Sequence, residues 1–407
     1  MLKISEVRSV LKFPVIVAGL GYFVDMFDIT LFGVVRVQSL KDLGITDSAE
    51  LLSHGVHLYN LQMIGMMLGG ILWGVLGDKR GRLSVLFGSI LLYSIGNILN
   101  AFVTDPTQYA ICRFVTGFGL AGELGAAITL VSESLEKDLR GVGTTLVATM
   151  GLSGCIAASY FGQHVTWSTA YLVGGGMGLL LLATRFKMFE STSFEHLKSS
   201  SVVRGSFQML FHSKRIWKYL ACIMTGVPIY FVTGVLMTFA PELTQGLGIQ
   251  GVTAGNALLY GTIGLTIGDM LSGLLSQILH KRKMAVAICL IGAMVTAGVY
   301  LFVGGLTADI VYILCFILGA FSGYWAVLVT IAAEQFGTNL RATVATTVPN
   351  FVRGSAALTT TLFLTGKQYF STREAALAVG AICFIGALLA VKSLQETFGK
   401  DLNFIEE

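Results

Sequence analysis

Charge is what this chain has least of. Of its 407 residues only 12% are Asp, Glu, Lys or Arg, about half the ~25% of an ordinary soluble domain. Together with a mean hydropathy of +0.75, that excludes a soluble globular protein and points to an integral membrane protein. Other absences narrow the function. No G-x4-GK-[ST] loop exists to cradle a nucleotide phosphate. None of the six histidines is followed by Asp five positions on, and no Ser-His-Asp cluster or metal-ligand spacing appears, which argues against a membrane-embedded enzyme. His54 and His57 lack a third ligand. The six cysteines all fall within apolar runs and read as small buried apolar residues, not as a disulfide framework. The first apolar run is too long and too acidic for a cleaved leader and has no A-x-A-like exit, so it is expected to stay in the mature protein.

What is present is apolar sequence in blocks of about 20–28 residues, enough to cross a bilayer. We place twelve helices at 13–37, 54–77, 83–103, 107–132, 141–164, 168–188, 217–242, 251–279, 284–304, 309–335, 342–366 and 373–393. The expected fold is all-α and integral to the membrane, with two six-helix bundles at 1–190 and 217–407. A polar linker, 191–216, joins them. Lys and Arg fix the orientation: 21 lie on the side that holds both termini, 4 on the other and 2 within spans. Both termini are therefore expected in the cytoplasm.

The halves repeat. Glu133 and Arg140 follow the fourth span, and Glu334 and Arg341 follow the tenth at the same spacing. The second and eighth spans align through Gly69/Gly268 and Gly74/Gly273, each followed by a basic cluster. Two related six-helix halves fit an alternating-access carrier with its site between them near mid-membrane.

These motifs carry a family resemblance. GVLGDKRGR, residues 74–82, resembles the G-x-x-x-D-[RK]-x-G-[RK] loop of the major facilitator superfamily and sits where that family has it. RFVTGFG, 113–119, continuing to Glu123, resembles the family's R-x-x-x-G-x-G pattern in metabolite:proton, aromatic-acid:proton and sugar-porter-like symporters. DITLFG, 28–33, resembles a D-x4-G of the first helix in the same groups. The eighth span departs from the pattern: Gln277 stands where the loop aspartate would be. The resemblance implies a gate built from Gly74, Asp78, Lys79, Gly81, Arg82, Glu133, Arg140, Glu334 and Arg341. It also implies substrate contacts in the seventh and tenth spans, where Tyr230, Tyr324 and Trp325 are candidates, and a monomer.

Six ionisable residues fall well inside spans: Asp25, Asp28, Arg113, Glu123, Asp269 and Arg353. Such residues usually face a wet interior and mark ion or substrate paths. Asp25, Asp28, Phe32 and Arg36 recur at helical spacing, so one stripe of the first helix is polar. Asp28 and Arg113 fall at similar depth and are expected to pair, with Asp25 or Arg36 as further partners; such a pair is a proton switch or a static packing contact. Glu123 is a second proton site or substrate ligand, or a neutral acid bonded to backbone. Asp269 is a candidate substrate contact. Arg353 follows Pro349 and Asn350, and either holds a substrate carboxylate or neutralises Asp269 or Glu123.

The resulting expectation is a multi-pass carrier of the cell (inner) membrane that takes up a small polar metabolite with protons by rocker-switch alternation. Its partners are that substrate and the lipid bilayer. No nucleic acid, metal or organic cofactor is called for, and the proton is the coupling ion. Two in-span arginines favour a carboxylate-bearing metabolite; four in-span acids suit a cation or zwitterion if they are unpaired. A drug exporter is disfavoured because the fifth span has no proline. A sugar facilitator or symporter stays open.

Overall fold

The computed structural model describes residues 13–80, 82–123, 140–185, 213–302, 305 and 307–399. Among them no strand occurs. The helices are α1 (Phe13–Asp42), α2 (Ser48–Arg80), α3 (Arg82–Asn100), α4 (Pro106–Leu120), α5 (Arg140–His164), α6 (Trp167–Arg185) and α7 (Ser213–Tyr230). Then come α8 (Ala254–Leu279), α9 (Arg282–Phe302), α10a (Ala308–Ser322), α10b (Trp325–Glu334), α11 (Thr338–Gly366) and α12 (Thr372–Ser393).

Several boundaries differ from the sequence expectation. Helix α2 begins at Ser48, so His54 and His57 lie inside it. Regular helix α4 stops at Leu120, and Ala121–Gly122 form a turn, so Glu123 is not mid-helix. The seventh span is not one α-helix. It widens into π-helix over Phe231–Thr238 and then tilts into a short helix, Ala240–Gly246. Pro228 and Pro241 flank this stretch, and each removes a backbone donor that a straight helix needs. The tenth span is broken at Gly323–Tyr324.

Among the described residues eight helices are long and apolar enough to cross a membrane: α1, α2, α6, α7, α8, α9, α10a with α10b, and α12. Helix α11 misses that mark because it buries Thr343, Thr347, Asn350, Arg353, Thr359 and Thr360. Its polar face turns toward other helices. The exposure pattern is inverted relative to a soluble protein. Leu180 and Ile278 are 71% and 74% exposed, while Asp25, Asp28, Arg36, Arg113, Glu123 and Arg353 are 0% exposed. That is the arrangement a bilayer requires, since charge on the lipid face is costly.

The buried apolar residues form two main clusters. One draws on 17–181 with Phe239 and Ala356; the other draws on 219–394. The same packing device recurs in both halves. A Cβ at Gly65 or Gly69 on α2 would fall 2.4 or 2.3 Å from the carbonyl oxygen of Phe114 or Phe118. A Cβ at Gly264 or Gly268 on α8 would fall 2.0 or 1.9 Å from that of Phe316 or Ala320. Backbone against backbone is how membrane helices gain van der Waals contact without a hydrophobic driving force. Because backbone cannot step aside, Gly268→Ala is expected to cost ~1–3 kcal/mol through overpacking and to lower the thermal midpoint of purified protein. Gly298→Ala is the control. A Cβ there meets nothing within 4 Å, so it leaves the midpoint unchanged or raises it.

Candidate functional site

The polar stripe of α1 exists, but its members go to three different places. Asp25 reaches across to α11, where its Oδ2 lies 3.5 Å from Arg353 Nη2, both side chains fully buried. Arg353 Nη1 also donates to Asn350 Oδ1 at 3.4 Å, and its guanidinium lies 5.8 Å from the Trp325 ring centre. Arg36 crosses to the other half: its Nη1 is 2.7 Å from Glu242 Oε1, its Nη2 donates to the Thr238 carbonyl at 3.3 Å, and it sits 4.5 Å over the Phe239 ring. Asp28 stays within the N-terminal bundle. Its Oδ1 is so close to α6 that a Cβ on Gly174 would lie 2.5 Å from it.

The expected ion pair between Asp28 and Arg113 is not formed. Arg113 lies 4.8 Å over the ring of Phe32 and 5.6 Å from that of Tyr171, and its Nη1 donates to the Tyr171 hydroxyl at 3.5 Å. It is near enough to act on Asp28 electrostatically, but the rings hold it. Arg36 and Asp25, expected as further partners of that pair, are committed to Glu242 and Arg353.

Asp269 and Arg353 do not pair either. Asp269 Oδ1 accepts the Ala326 N–H at 2.9 Å. Helix α10b has Tyr324 at its N-cap, which makes no side-chain cap bond, so the carboxylate from α8 supplies that cap instead. Glu123 is buried and acts on Asp25 through charge, but the partner Arg353 takes is Asp25. Tyr324, expected to line a cavity, is buried, donates to the Thr225 carbonyl at 3.0 Å and lines neither of the two cavities described below.

Between the halves lies a cavity of about 110 Å³. Its aromatic walls are Tyr22, Tyr59, Tyr230 and Trp325, and its polar points include Asp269 and Arg353. Mostly apolar walls with a few placed polar groups are what small-molecule sites have. A second cavity of about 570 Å³ shares Tyr22, Asp269 and Trp325 with the first. It runs between α5, α8 and α10b to Gln277 and Arg282, at the basic end of the bundle. The halves have parted there on one side only. A Cβ at Gly74 would lie 3.6 Å from Thr346 on α11, whereas at the equivalent Gly273 it would meet nothing within 4 Å. At the opposite end the halves are closed by Arg36 with Glu242 and by the Tyr59–Phe239 ring contact, 6.0 Å between centres.

Of the motif residues at the basic end, Glu334 is ion-paired to Arg282 at 2.8 Å. The turn bearing Arg282 is held by Glu396, which accepts the N–H groups of Arg282 and Lys283 at 2.9 and 3.1 Å. Burial pushes the Glu396 carboxyl up, but backbone N–H donors outweigh it and hold the pKa below its usual range. Gly81 and Glu133 lie outside the described residues. So do the side chains of Asp78, Lys79, Arg82, Arg140 and Arg341. Glu242, Tyr22, Tyr59, Tyr109 and Tyr171 were not singled out from sequence. Glu242 sits at the edge of its expected span, and an aromatic inside an apolar run reads as packing.

Comparison with known proteins agrees with this architecture. The description of the Major Facilitator Superfamily matches residues 18–360, and the chain belongs to that family. The putative niacin/nicotinamide transporter NiaP of Bacillus subtilis is 29% identical over 83% of this chain and 84% of its own length. The 3-(3-hydroxy-phenyl)propionate transporter of Escherichia coli is 26% identical over 70% of this chain and 71% of its own. In structure, the partially occluded inward-open xylose transporter XylE from E. coli matches with a TM-score of 0.73 at 17% identity, covering 98% of this chain and all of that one. The chain is thus a membrane transporter and not an enzyme.

Proposed function

We propose that this transporter takes up a small carboxylate-bearing metabolite, aromatic or otherwise planar, together with protons, by rocker-switch alternation of its two halves. The observation that carries the reading is Arg353. It is a fully buried guanidinium on the cavity wall, beside Trp325 and Tyr230, with one long ion pair and an Nε that has no hydrogen-bond partner. A planar fork with unmet donors beside aromatic faces suits a carboxylate on a ring. A relative named for niacin/nicotinamide supports a small planar ring, and one named for a phenylpropionate supports a carboxylate on it. In this reading Asp28 carries the coupling proton and Asp269 couples substrate occupancy to α10b. In the same reading the carrier works as a monomer that crosses the cell membrane twelve times with both termini in the cytoplasm, and the basic end faces inward. The larger cavity then opens to the cytoplasm.

A thermal-shift panel tests this. Nicotinate and 3-(3-hydroxyphenyl)propionate are expected to raise the melting temperature of purified protein; a ligand at 100 times its Kd adds about 2.7 kcal/mol. Nicotinamide, matched in shape but without the carboxylate, and xylose are expected to leave it unmoved. Stabilisation by nicotinamide or xylose with none by either acid overturns the carboxylate reading.

A further inference from the structure

We propose that protons reach Asp28 from the Arg36 end of the molecule through a hydroxyl chain inside the N-terminal bundle, Ser39–Tyr109–Tyr171, separate from the substrate cavity. The inference rests on the reading of Asp28 as the coupling carboxylate.

The starting point is where Asp28 lies. It lines neither cavity. Residues 22, 26, 29 and 30 of α1 face the first cavity, and the opposite face of the helix carries Asp28, Phe32 and Ser39. The groups around the carboxylate are Arg113 on α4, Asn97 on α3, Tyr171 and Gly174 on α6, and Asp25 on its own helix. Helix α5 packs on the other side of α1, with Cys155 against the Met26 carbonyl. Among the described residues Asp28 is thus set apart from the lining of both cavities.

A path does run through the bundle. Tyr171 stands one turn from Gly174 on the same face of α6. Its hydroxyl is 2.7 Å from that of Tyr109, which is 3.2 Å from Ser39 Oγ, which in turn donates to the Arg36 carbonyl at 3.0 Å. All of these residues are buried. Ser39 lies one turn from Asp42, which is exposed and accepts from Trp167 Nε1 at 2.8 Å; Trp167 stacks on Tyr109, 6.3 Å between centres. Eleven residues separate Ser39 from Asp28, roughly 16 Å of helix rise. The hydrogen-bonded run thus extends from the helix turn beside exposed Asp42, at the end where Arg36 and Glu242 seal the substrate route, to Tyr171, one turn from the Gly174 against which Asp28 lies.

The inner end of the chain is polar on every side. Among the described residues both Asp28 oxygens, the Asn97 amide, and Nε and Nη2 of Arg113 gather here with hydrogen-bonding capacity that protein groups leave largely unmet. Buried groups so clustered are the kind that ordered water bridges. The transfer balances. Rotation first turns the Ser39 hydroxyl from the Arg36 carbonyl toward Tyr109, and the Tyr109 hydroxyl toward Tyr171; a proton from outside water then forms an O–H bond on Ser39 as the serine's own proton passes to Tyr109. Tyr109 passes its proton to Tyr171, and Tyr171, through water, to an Asp28 oxygen. Each hydroxyl keeps one O–H bond and the carboxylate gains one. Rotation of the hydroxyls resets the chain.

Infrared difference spectroscopy after an acid jump tests this with the full chain in lipid nanodiscs and needs no substrate. The wild type is expected to show a protonated-carboxyl band that Asp28→Asn removes. In Tyr171→Phe and Tyr109→Phe the band is expected to reach the same amplitude at least tenfold more slowly. The double variant is expected to be no slower than the slower single one, as for links in series. A purely structural role would change amplitude or melting temperature, not rate. If Tyr171→Phe fails to fold because Arg113 loses its hydroxyl partner, Ser39→Ala with Tyr109→Phe gives the same comparison. Wild-type rates in the folded variants overturn the relay and leave Asp28 as coupling site standing. A wild-type spectrum with no band dependent on Asp28 overturns both.

Discussion

Arg353→Gln is expected to cut the initial rate of uptake by ~10²–10³-fold and to lower the melting temperature markedly. Removing one partner of a buried ion pair costs ~3–5 kcal/mol, because the other charge is left stranded in low dielectric, and 1.4 kcal/mol is a factor of ten. The stranded group here is Asp25, which is fully buried and has one oxygen already without a hydrogen-bond partner. The two losses separate by a second substitution. In Asp25→Asn/Arg353→Gln no charge is stranded, so stability is expected to return toward wild type. Transport is expected to stay lost, because the guanidinium that faces the cavity beside Trp325 is gone. Asp25→Asn alone leaves Arg353 without its competing carboxylate, and thermal shift by nicotinate is expected to persist or grow. If the double variant regains transport together with stability, Arg353 serves packing and not substrate. Arg353→Lys is not a mild change, since an ammonium lacks the planar fork.

How much of this was legible in the sequence depends on the range of the interaction. The stripe Asp25, Asp28, Phe32 and Arg36 follows from helical period alone, and the structure keeps those positions buried. The glycine match of Gly69 with Gly268 was visible, and both meet a carbonyl of the partner helix in the same way. What period cannot supply is the partner. Asp25 meets a residue 328 positions away and Arg36 a carbonyl 202 positions away. With several in-span acids and arginines to combine, depth along the helix favoured Asp28 with Arg113, but the rings of Phe32 and Tyr171 compete for that guanidinium. Pro228 and Pro241 mark the seventh span in the sequence without fixing where its helix widens, and the break at Gly323–Tyr324 is hidden because composition stays apolar across it. Asp269 explains the second break, as a carboxylate in α8 caps a helix start that has no cap of its own. Tyr109 and Tyr171 were passed over because a tyrosine in an apolar run shows its ring in the sequence, while the hydroxyl's partner belongs to the fold.

Asp28→Asn is expected to abolish accumulation driven by a pH gradient while leaving substrate exchange within about twofold of wild type. Asparagine has the shape of the protonated acid and cannot release a proton, so the carrier would cycle loaded but uncoupled. For one proton per substrate, each pH unit across the membrane is worth about 1.4 kcal/mol, or a tenfold concentration ratio, so the variant's ratio falls from ~10 to ~1 per unit. The direction distinguishes coupling from packing. The carboxylate rests against Gly174 with Asn97 as its polar neighbour, and the amide is isosteric with the acid, so the substitution adds no clash. A static packing role therefore predicts full pH-driven accumulation in the variant. Counterflow of labelled nicotinate in proteoliposomes at equal pH, set beside uptake into the same vesicles with an acid exterior, reads both quantities on one preparation. Accumulation that survives intact in Asp28→Asn would move the coupling site elsewhere. Asp269 would then be the next carboxylate to test, since it lines both cavities and holds the start of α10b.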